Sequence, residues 1–228
     1  MKTALVIAAH PDDEVLGCGG TIARMVDDGW AVHTLILAEG STSRDPVRDR
    51  AGRSEALSEL EACAQRAGTI LGSASVRLEA FPDNRMDGVE LLDVVKCIEV
   101  EIARVRPSRV LTHHVGDVNI DHTVIHHAVV AACRPQPGAC VREILYFEVP
   151  SSTEWRTPHS AAPFAPALFV DIGSTLARKI LALEAYVPEM RTFPHPRSTQ
   201  AVEHLARWRG ATVGCEAAEA FEIGRRIE

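Results

Sequence analysis

Short β-rich runs alternate with segments of helical period up to about residue 150, and this alternation limits the possible folds more than any other feature of the chain. "TALVIAA" and "AVHTLILA" bracket "GGTIARMVDDGW", whose apolar residues recur at helical spacing and which ends at Gly29. A segment from about Pro46 to Leu71 carries Leu57, Leu60, Ala64 and Ala67 on one face and stops at Gly72; another runs from about Gly88 to Val105, before Pro107. "ASVRLEA" lies between them as a third strand. "SRVLTHH", "HTVIHHAVVAAC" and "EILYFEV" continue as strand, helix and strand. Strands that alternate with helices call for crossover connections, so the expected fold class is α/β, with a mostly parallel sheet covered by helices on both faces.

After Pro150 the pattern loosens. "SSTEWRTPHSAAPFAP" reads as loop and "ALFVDI" as a late strand, with two helices near Ser174–Tyr186 and Thr199–Gly210. This tail is too short for a second domain and nothing before it resembles a linker. One domain over 1–228 is expected, its part beyond about 150 covering the sheet and shaping the site. The opening "ALVIAA" runs into charged residues rather than a cleavage site, so it reads as a strand, not a secretion signal. No run is long enough to cross a membrane. A net charge of −7 argues against nucleic acid, whose binding draws on clustered Lys and Arg. Six cysteines without a C-x-x-C pair fit reduced thiols in a cytoplasm.

The chemistry concentrates in "HPDDE" after the first strand and "HHVGDVNIDH" after the strand that begins near Arg109. Ligands of open α/β sheets gather beyond the carboxyl ends of the strands, and the two clusters are expected to meet there, across the sheet edge. Crowded carboxylates repel one another and lose hydration, so a cation is the expected counterpart. His10 and Asp13 stand three residues apart in a turn fixed by Pro11, which lets an imidazole nitrogen and a carboxylate oxygen converge on one ion. His122 supplies a third ligand. Two histidines and a carboxylate around an open position are the donor set of a catalytic zinc (Zn2+) rather than a structural one, and Fe2+ or Co2+ suits the same ligands. Asp12, beside a ligand, is placed to act as general base towards a water whose pKa the ion lowers toward ~7. The implied chemistry is hydrolysis of a polarised carbonyl.

Other readings of these residues stay open. An isolated H-P-D-D also fits a solvated turn in which Asp12 or Asp13 caps the next helix. His122 and His126, four apart, can form a metal pair of their own, although the Glu of H-E-x-x-H is missing. His113 and His114 close a strand, where at least one is expected to pack and hydrogen-bond. Cys18 in "GCGG" reads as a small buried residue among glycines that permit close helix packing.

With both clusters placed, the chain resembles the LmbE-like, or PIG-L, family of zinc-dependent N-acetylglucosaminyl deacetylases over nearly its whole length. "AHPDDE" at 9–14 matches the family signature and "THHVGDVNIDH" at 112–122 its second metal motif. "FPDNRMD", "FEVPSSTEW", "EMRTFPHPRS" and "AEAFE" are similar to blocks of one bacterial branch. The resemblance implies a Rossmann-like fold in which His10, Asp13 and His122 bind zinc and Asp12 is the base. It also implies N-acetylated amino sugars or their conjugates as substrates, cleaved to amine and acetate, and it admits a homo-oligomer in which a neighbour's loop completes the site.

The chain departs from the common H-x-D-H form of the second motif, because Asn119 stands where many members have a histidine. An amide can donate a hydrogen bond to a developing oxyanion but cannot deliver a proton. The acid is then expected from His195, between Pro194 and Pro196, or from Asp12 returning its captured proton; "PHPRS" also reads as a rigid turn before a helix capped by Ser198. Asp121 is a candidate to orient a metal-site histidine. Arg85, Arg191 and Arg197 can grip a phosphate or nucleotide on a sugar conjugate, or else form ion pairs. Asp83, Asn84 and Asp87 are turn formers that can also hold sugar hydroxyls.

The expectation is a zinc-dependent hydrolase that removes an acetyl group from an amino sugar or sugar conjugate. Two alternatives remain: an amidase that cuts another amide of a sugar conjugate with the same metal site, and a non-catalytic or degenerate sugar- or nucleotide-binding α/β protein. Against dinucleotide binding stands the missing G-x-G-x-x-G after the first strand.

Overall fold

The structure is a computed structural model and describes residues 2–228. The strands are β1 (Thr3–Ala8), β2 (Ala31–Ala38), β3 (Ser75–Phe81), β4 (Arg109–His113), β5 (Glu143–Phe147), β6 (Leu168–Asp171) and β7 (Ala218–Arg226). The helices are α1 (Asp13–Asp27), α2 (Ser54–Leu71), α3 (Leu91–Val105), α4 (Ile120–Ala132), α5 (Leu176–Glu184) and α6 (Thr199–Ala211). The strands form one sheet in the order β3-β2-β1-β4-β5-β7-β6. The first five are parallel, and β7 runs antiparallel to both β5 and β6. The α/β class with a mostly parallel sheet is as the alternation predicts.

β1 explains why its sequence is an unbroken apolar run. Ala4, Val6 and Ala8 pack into the core on the side of α1, α2 and α5, while Leu5, Ile7 and Ala9 pack into the core on the side of α3 and α4. Successive side chains point to opposite faces, so a strand covered on both faces has no polar position to spare. Among the described residues no helix is long and apolar enough to cross a membrane.

Three sequence expectations are corrected. The tail holds a strand after its helices, β7, wedged between β5 and β6. Its charges hid it: Glu219 looks like a surface residue but is buried against Lys179, 2.5 Å away, and accepts the Gly20 and Thr21 N–H groups at 2.9 and 2.6 Å. The helix placed from Pro46 begins only at Ser54; the residues before it are loop, tied by paired hydrogen bonds of 2.6 Å from Arg53 to Asp45. The first helix starts earlier than its apolar period suggests, at Asp13, and kinks at Cys18. Glu219 caps the half beyond the kink. Close packing does account for the glycines nearby: a Cβ on Gly17 would lie 2.3 Å from the Phe147 ring.

Candidate metal centre

β1 pairs with β2 on one side and with β4 on the other, so the strand order reverses between β1 and β4. A crevice opens beyond the carboxyl ends of two strands whose connections leave in opposite directions. The turn from β1 into α1 carries His10–Asp13, and the loop after β4 with the first turn of α4 carries Asp117–His122. The two clusters therefore meet at the middle of the sheet and not at its edge, because β4 is the direct neighbour of β1.

One ligand atom from each of His10, Asp13 and His122 falls within 4.8 Å of the others. Asp13 Oδ2 lies 3.2 Å from His10 Nδ1 and 3.1 Å from His122 Nε2, and also accepts the His10 backbone N–H at 2.9 Å. Each histidine has its remaining nitrogen close to another carboxylate. His10 Nε2 is 3.0 Å from Asp121 Oδ2 and 3.3 Å from Asp83 Oδ1, while His122 Nδ1 is 3.1 Å from Asp117 Oδ2. Carboxylates in that position hold a metal-ligating imidazole in one tautomer and orientation. His10, Asp83 and Asp121 also lie close enough to form a donor set. Asp121, however, is already occupied by the N–H groups of Asn84 and Met86 at 2.6 and 3.0 Å. His122, by contrast, is buried and neither ring nitrogen has a partner in hydrogen-bonding geometry among the described residues. An imidazole nitrogen orphaned beside a carboxylate fits a cation between them, and the N, N, O donor set is of the kind zinc takes.

Electrostatics follow from burial and crowding. Burial opposes a charge on His122, yet Asp13 and Asp117 outweigh it and hold its pKa up at about 9. Asp13 is likewise burdened by burial but is carried well below the ordinary carboxylate range by His122 and His10. Asp83 is pulled down to about 2, its burial overcome by His10 and Ser43.

Asp12 has a left-handed backbone, φ 113°, at the start of α1. Its N–H donates to Glu14 Oε2 at 3.2 Å, and its carbonyl accepts from Val15 and Leu16 at 3.0 and 2.9 Å. Glu14 in turn accepts the Tyr186 hydroxyl at 2.6 Å; burial pushes Glu14 up to about 7. Burial also raises Asp12 well above the ordinary carboxylate value; Arg197, with Nη1 3.2 Å from Asp12 Oδ2, opposes this, and Asp13, Glu189 and Glu14 reinforce it.

A cavity of about 440 Å³ opens over these groups, and His10, Asp12, Asp13, Asn119, His122, Arg191 and Arg197 all border it. Arg85 and His195 do not. Arg85 reaches the main-chain carbonyls of Asp45 and Pro46 at 3.4 and 3.2 Å, outside the cavity. His195 Nδ1 accepts the Arg197 backbone N–H at 3.0 Å and its ring meets Trp155 edge-on. Asn119 is engaged at both ends: Oδ1 caps α4 by accepting the Asp121 N–H at 2.9 Å, and Nδ2 donates one of its hydrogens to Asn84 Oδ1 at 3.0 Å.

The other histidines divide as packing predicts. His113 accepts the Ala9 N–H at 2.8 Å and stacks on His122, and His114 pairs with Glu222 at 2.7 Å. His126 turns to the His113 carbonyl at 2.9 Å, so it makes no pair with His122. Asp121 faces His10, not the adjacent His122. Sequence reasoning missed Asp117, although it stands inside the second cluster; its spacing of five from His122 signals nothing until the loop is folded.

The family model described as "PIG-L: GlcNAc-PI de-N-acetylase" matches residues 5–133. An uncharacterized deacetylase of Escherichia coli, YaiS, is 31% identical over 156 residues, 66% of this chain and 76% of that protein. A probable N-acetyl-alpha-D-glucosaminyl L-malate deacetylase of Bacillus cereus is 29% identical over 143 residues, 60% of this chain and 63% of its own length. A 4-oxalmesaconate hydratase of Pseudomonas putida is 29% identical over 198 residues, 80% of this chain and 72% of its own. The solved structure of the conserved protein TT1542 from Thermus thermophilus aligns with 100% of this chain and 97% of that one, with a TM-score of 0.78 at 25% identity. The family match runs from β1 to the end of α4 and so takes in both clusters of the centre: the chain belongs to the PIG-L family of GlcNAc-PI de-N-acetylases.

Proposed function

We propose that this chain is a metal-dependent hydrolase that removes the N-acetyl group from an amino sugar or sugar conjugate, with zinc as its ion. The observation that carries the reading is the convergence of His10, Asp13 and His122 in the wall of the cavity, with Asp12 in the same turn. The family match and the deacetylase relatives support the choice of an acetamide as the group attacked. His10, Asp13 and His122 would hold the ion. Bound there, it polarises the acyl oxygen and acidifies water.

The chain's own groups supply the rest. Asp12 takes a proton from the water that adds to the acyl carbon, then returns it to the amide nitrogen as the C–N bond breaks; the amine takes the second proton from the new carboxyl group, leaving acetate and the ammonium form of the amine. The raised pKa of Asp12 suits a group that must both accept and release a proton. Asn119 carries no acidic proton and His195 does not border the cavity, so we assign the acid step to Asp12 as well. Among the described residues the Arg191 side chain is held only by the carbonyls of Pro188 and Met190, both at 3.0 Å, and keeps its charge available for an anionic substituent of the substrate.

A second reading, hydration of an unsaturated acid, is favoured by one observation: the 4-oxalmesaconate hydratase of Pseudomonas putida is 29% identical over 80% of this chain. An assay of acetate release from a panel of N-acetylated amino sugars and their conjugates, with and without a chelator, separates the two. Chelator-sensitive release of acetate is expected. No acetate from any member, with hydration of 4-oxalmesaconate instead, would replace the deacetylase reading.

A further inference from the structure

Arg197 lies 185 residues from Asp12 in the chain and touches it in the fold. Its side chain is half-buried and borders the cavity. Four contacts fix it. Nε donates to Ser151 Oγ at 3.1 Å and Nη1 to Asp12 Oδ2 at 3.2 Å; the backbone N–H rests on His195 Nδ1, and the backbone carbonyl accepts the Arg191 N–H at 3.2 Å. Glu189 stands 3.6 Å from Nη1 and is itself locked by two hydrogen bonds from Arg44, of 2.5 and 2.7 Å. Nη2 has no hydrogen-bond partner among the described residues.

Several neighbouring polar groups of the cavity are already engaged. Asn119 uses both ends of its amide, the Ser152 hydroxyl donates to Asp117, and Arg44 is spent on Glu189. A water activated by Asp12 adds to a carbonyl placed one water away from that carboxylate, and Arg197, in contact with Asp12, borders the same space. As water adds, negative charge grows on the carbonyl oxygen, and a fixed cationic N–H there stabilises the transition state more than the ground state.

We infer that Arg197 is a catalytic residue of this site: Nη1 orients Asp12 while Nη2 donates to the oxygen of the attacked carbonyl as its charge develops. The inference deepens the deacetylase reading and rests on it for the identity of the carbonyl. Of the two sequence expectations for Arg197, a grip on a phosphate or nucleotide or else an ion pair, the contact with Asp12 matches the ion pair, and the inference adds a part in the reaction. The proton balance is unchanged, since the guanidinium gives up none.

The test uses the full-length protein as purified, wild type against Arg197→Ala and Arg197→Lys, with metal content measured for each. For the alanine variant kcat for acetate release should fall about 10²–10³-fold with KM within about threefold and metal content unchanged, as for loss of one oxyanion donor. Added guanidinium ion should restore at least about a tenth of the lost rate, which a residue serving only the fold would not allow. Calorimetric titration with acetate, the anion that the reaction leaves in this place, should show affinity lowered about tenfold or more in the alanine variant. A rise in KM at unchanged kcat, or lost metal without guanidinium rescue, would overturn the inference. If the wild type releases no acetate, the deacetylase reading falls and the titration alone decides for Arg197: equal acetate affinity in wild type and variant, or none in either, overturns it.

Discussion

Asp117 Oδ2 stands 3.1 Å from Nδ1 of His122, the ring nitrogen that faces away from Asp13. The same carboxylate accepts the Ser152 hydroxyl, the Thr153 hydroxyl at 2.8 Å and the Asn119 N–H at 2.8 Å. One side chain thus ties the loop after β4 to the loop after β5 and aims an imidazole at the centre. Asp117→Asn keeps the shape but weakens the acceptor. Metal affinity, read by competition with a chelator, should fall about 10–100-fold while the fold is retained. Unchanged affinity would remove Asp117 from the centre.

Asp12 is the group asked to move the proton. Because its φ is 113°, a region that asparagine tolerates far better than alanine, Asp12→Asn removes the carboxylate with little backbone penalty. Turnover should drop about 10²–10⁴-fold, with the metal still bound. Full activity in the asparagine variant would end the base assignment.

Asn119 offers a contrast between two substitutions. Its Oδ1 caps α4, the helix that carries Asp121 and His122, and its Nδ2 holds Asn84. Asn119→Ala should cost about 1 kcal/mol of stability by chemical denaturation, while Asn119→Asp, which keeps the capping acceptor, should cost much less. Equal losses would show that the cap is not what the residue supplies.

His114 and Glu222 join the end of β4 to β7 at 2.7 Å. Burial lowers His114, but Glu222 more than offsets it and holds its pKa above 6.5; burial raises Glu222, but His114 and the Ala165 N–H hold it below 4.5. The stability due to the histidine is complete below pH 6.5 and is lost as pH rises through its raised pKa. That due to the glutamate is complete above pH 4.5 and is lost as pH falls through its lowered pKa. The difference in unfolding free energy between wild type and Glu222→Gln should therefore peak between pH 4.5 and 6.5, at about 1–2 kcal/mol, and shrink as pH rises through the raised pKa of His114. A difference that grows with rising pH would contradict the pairing.

Legibility of the sequence followed the range of the interactions. Strand and helix periods are local, so the parallel part of the sheet could be read from apolar spacing, and the switch between β1 and β4 brought "HPDDE" and "NIDH" together as neighbouring segments at the starts of α1 and α4. β7 was invisible because Glu219 breaks its apolar pattern, and the partner that neutralises Glu219, Lys179, lies 40 residues away. The roles of Asn119 and His195 could not be read from residue type: one amide was taken up by a helix cap and one imidazole by a backbone N–H of the same turn. Arg197 bears on Asp12 only through the packing of the tail over the crevice.

Metal content of the purified protein, measured by mass spectrometry on wild type and His122→Ala, tests the central claim most directly. The account predicts about one divalent ion per wild-type chain and loss of that ion, together with acetate release, when His122 is removed. A wild type that takes up no divalent ion even at saturation, or a His122→Ala protein that keeps its ion and its activity, would contradict it.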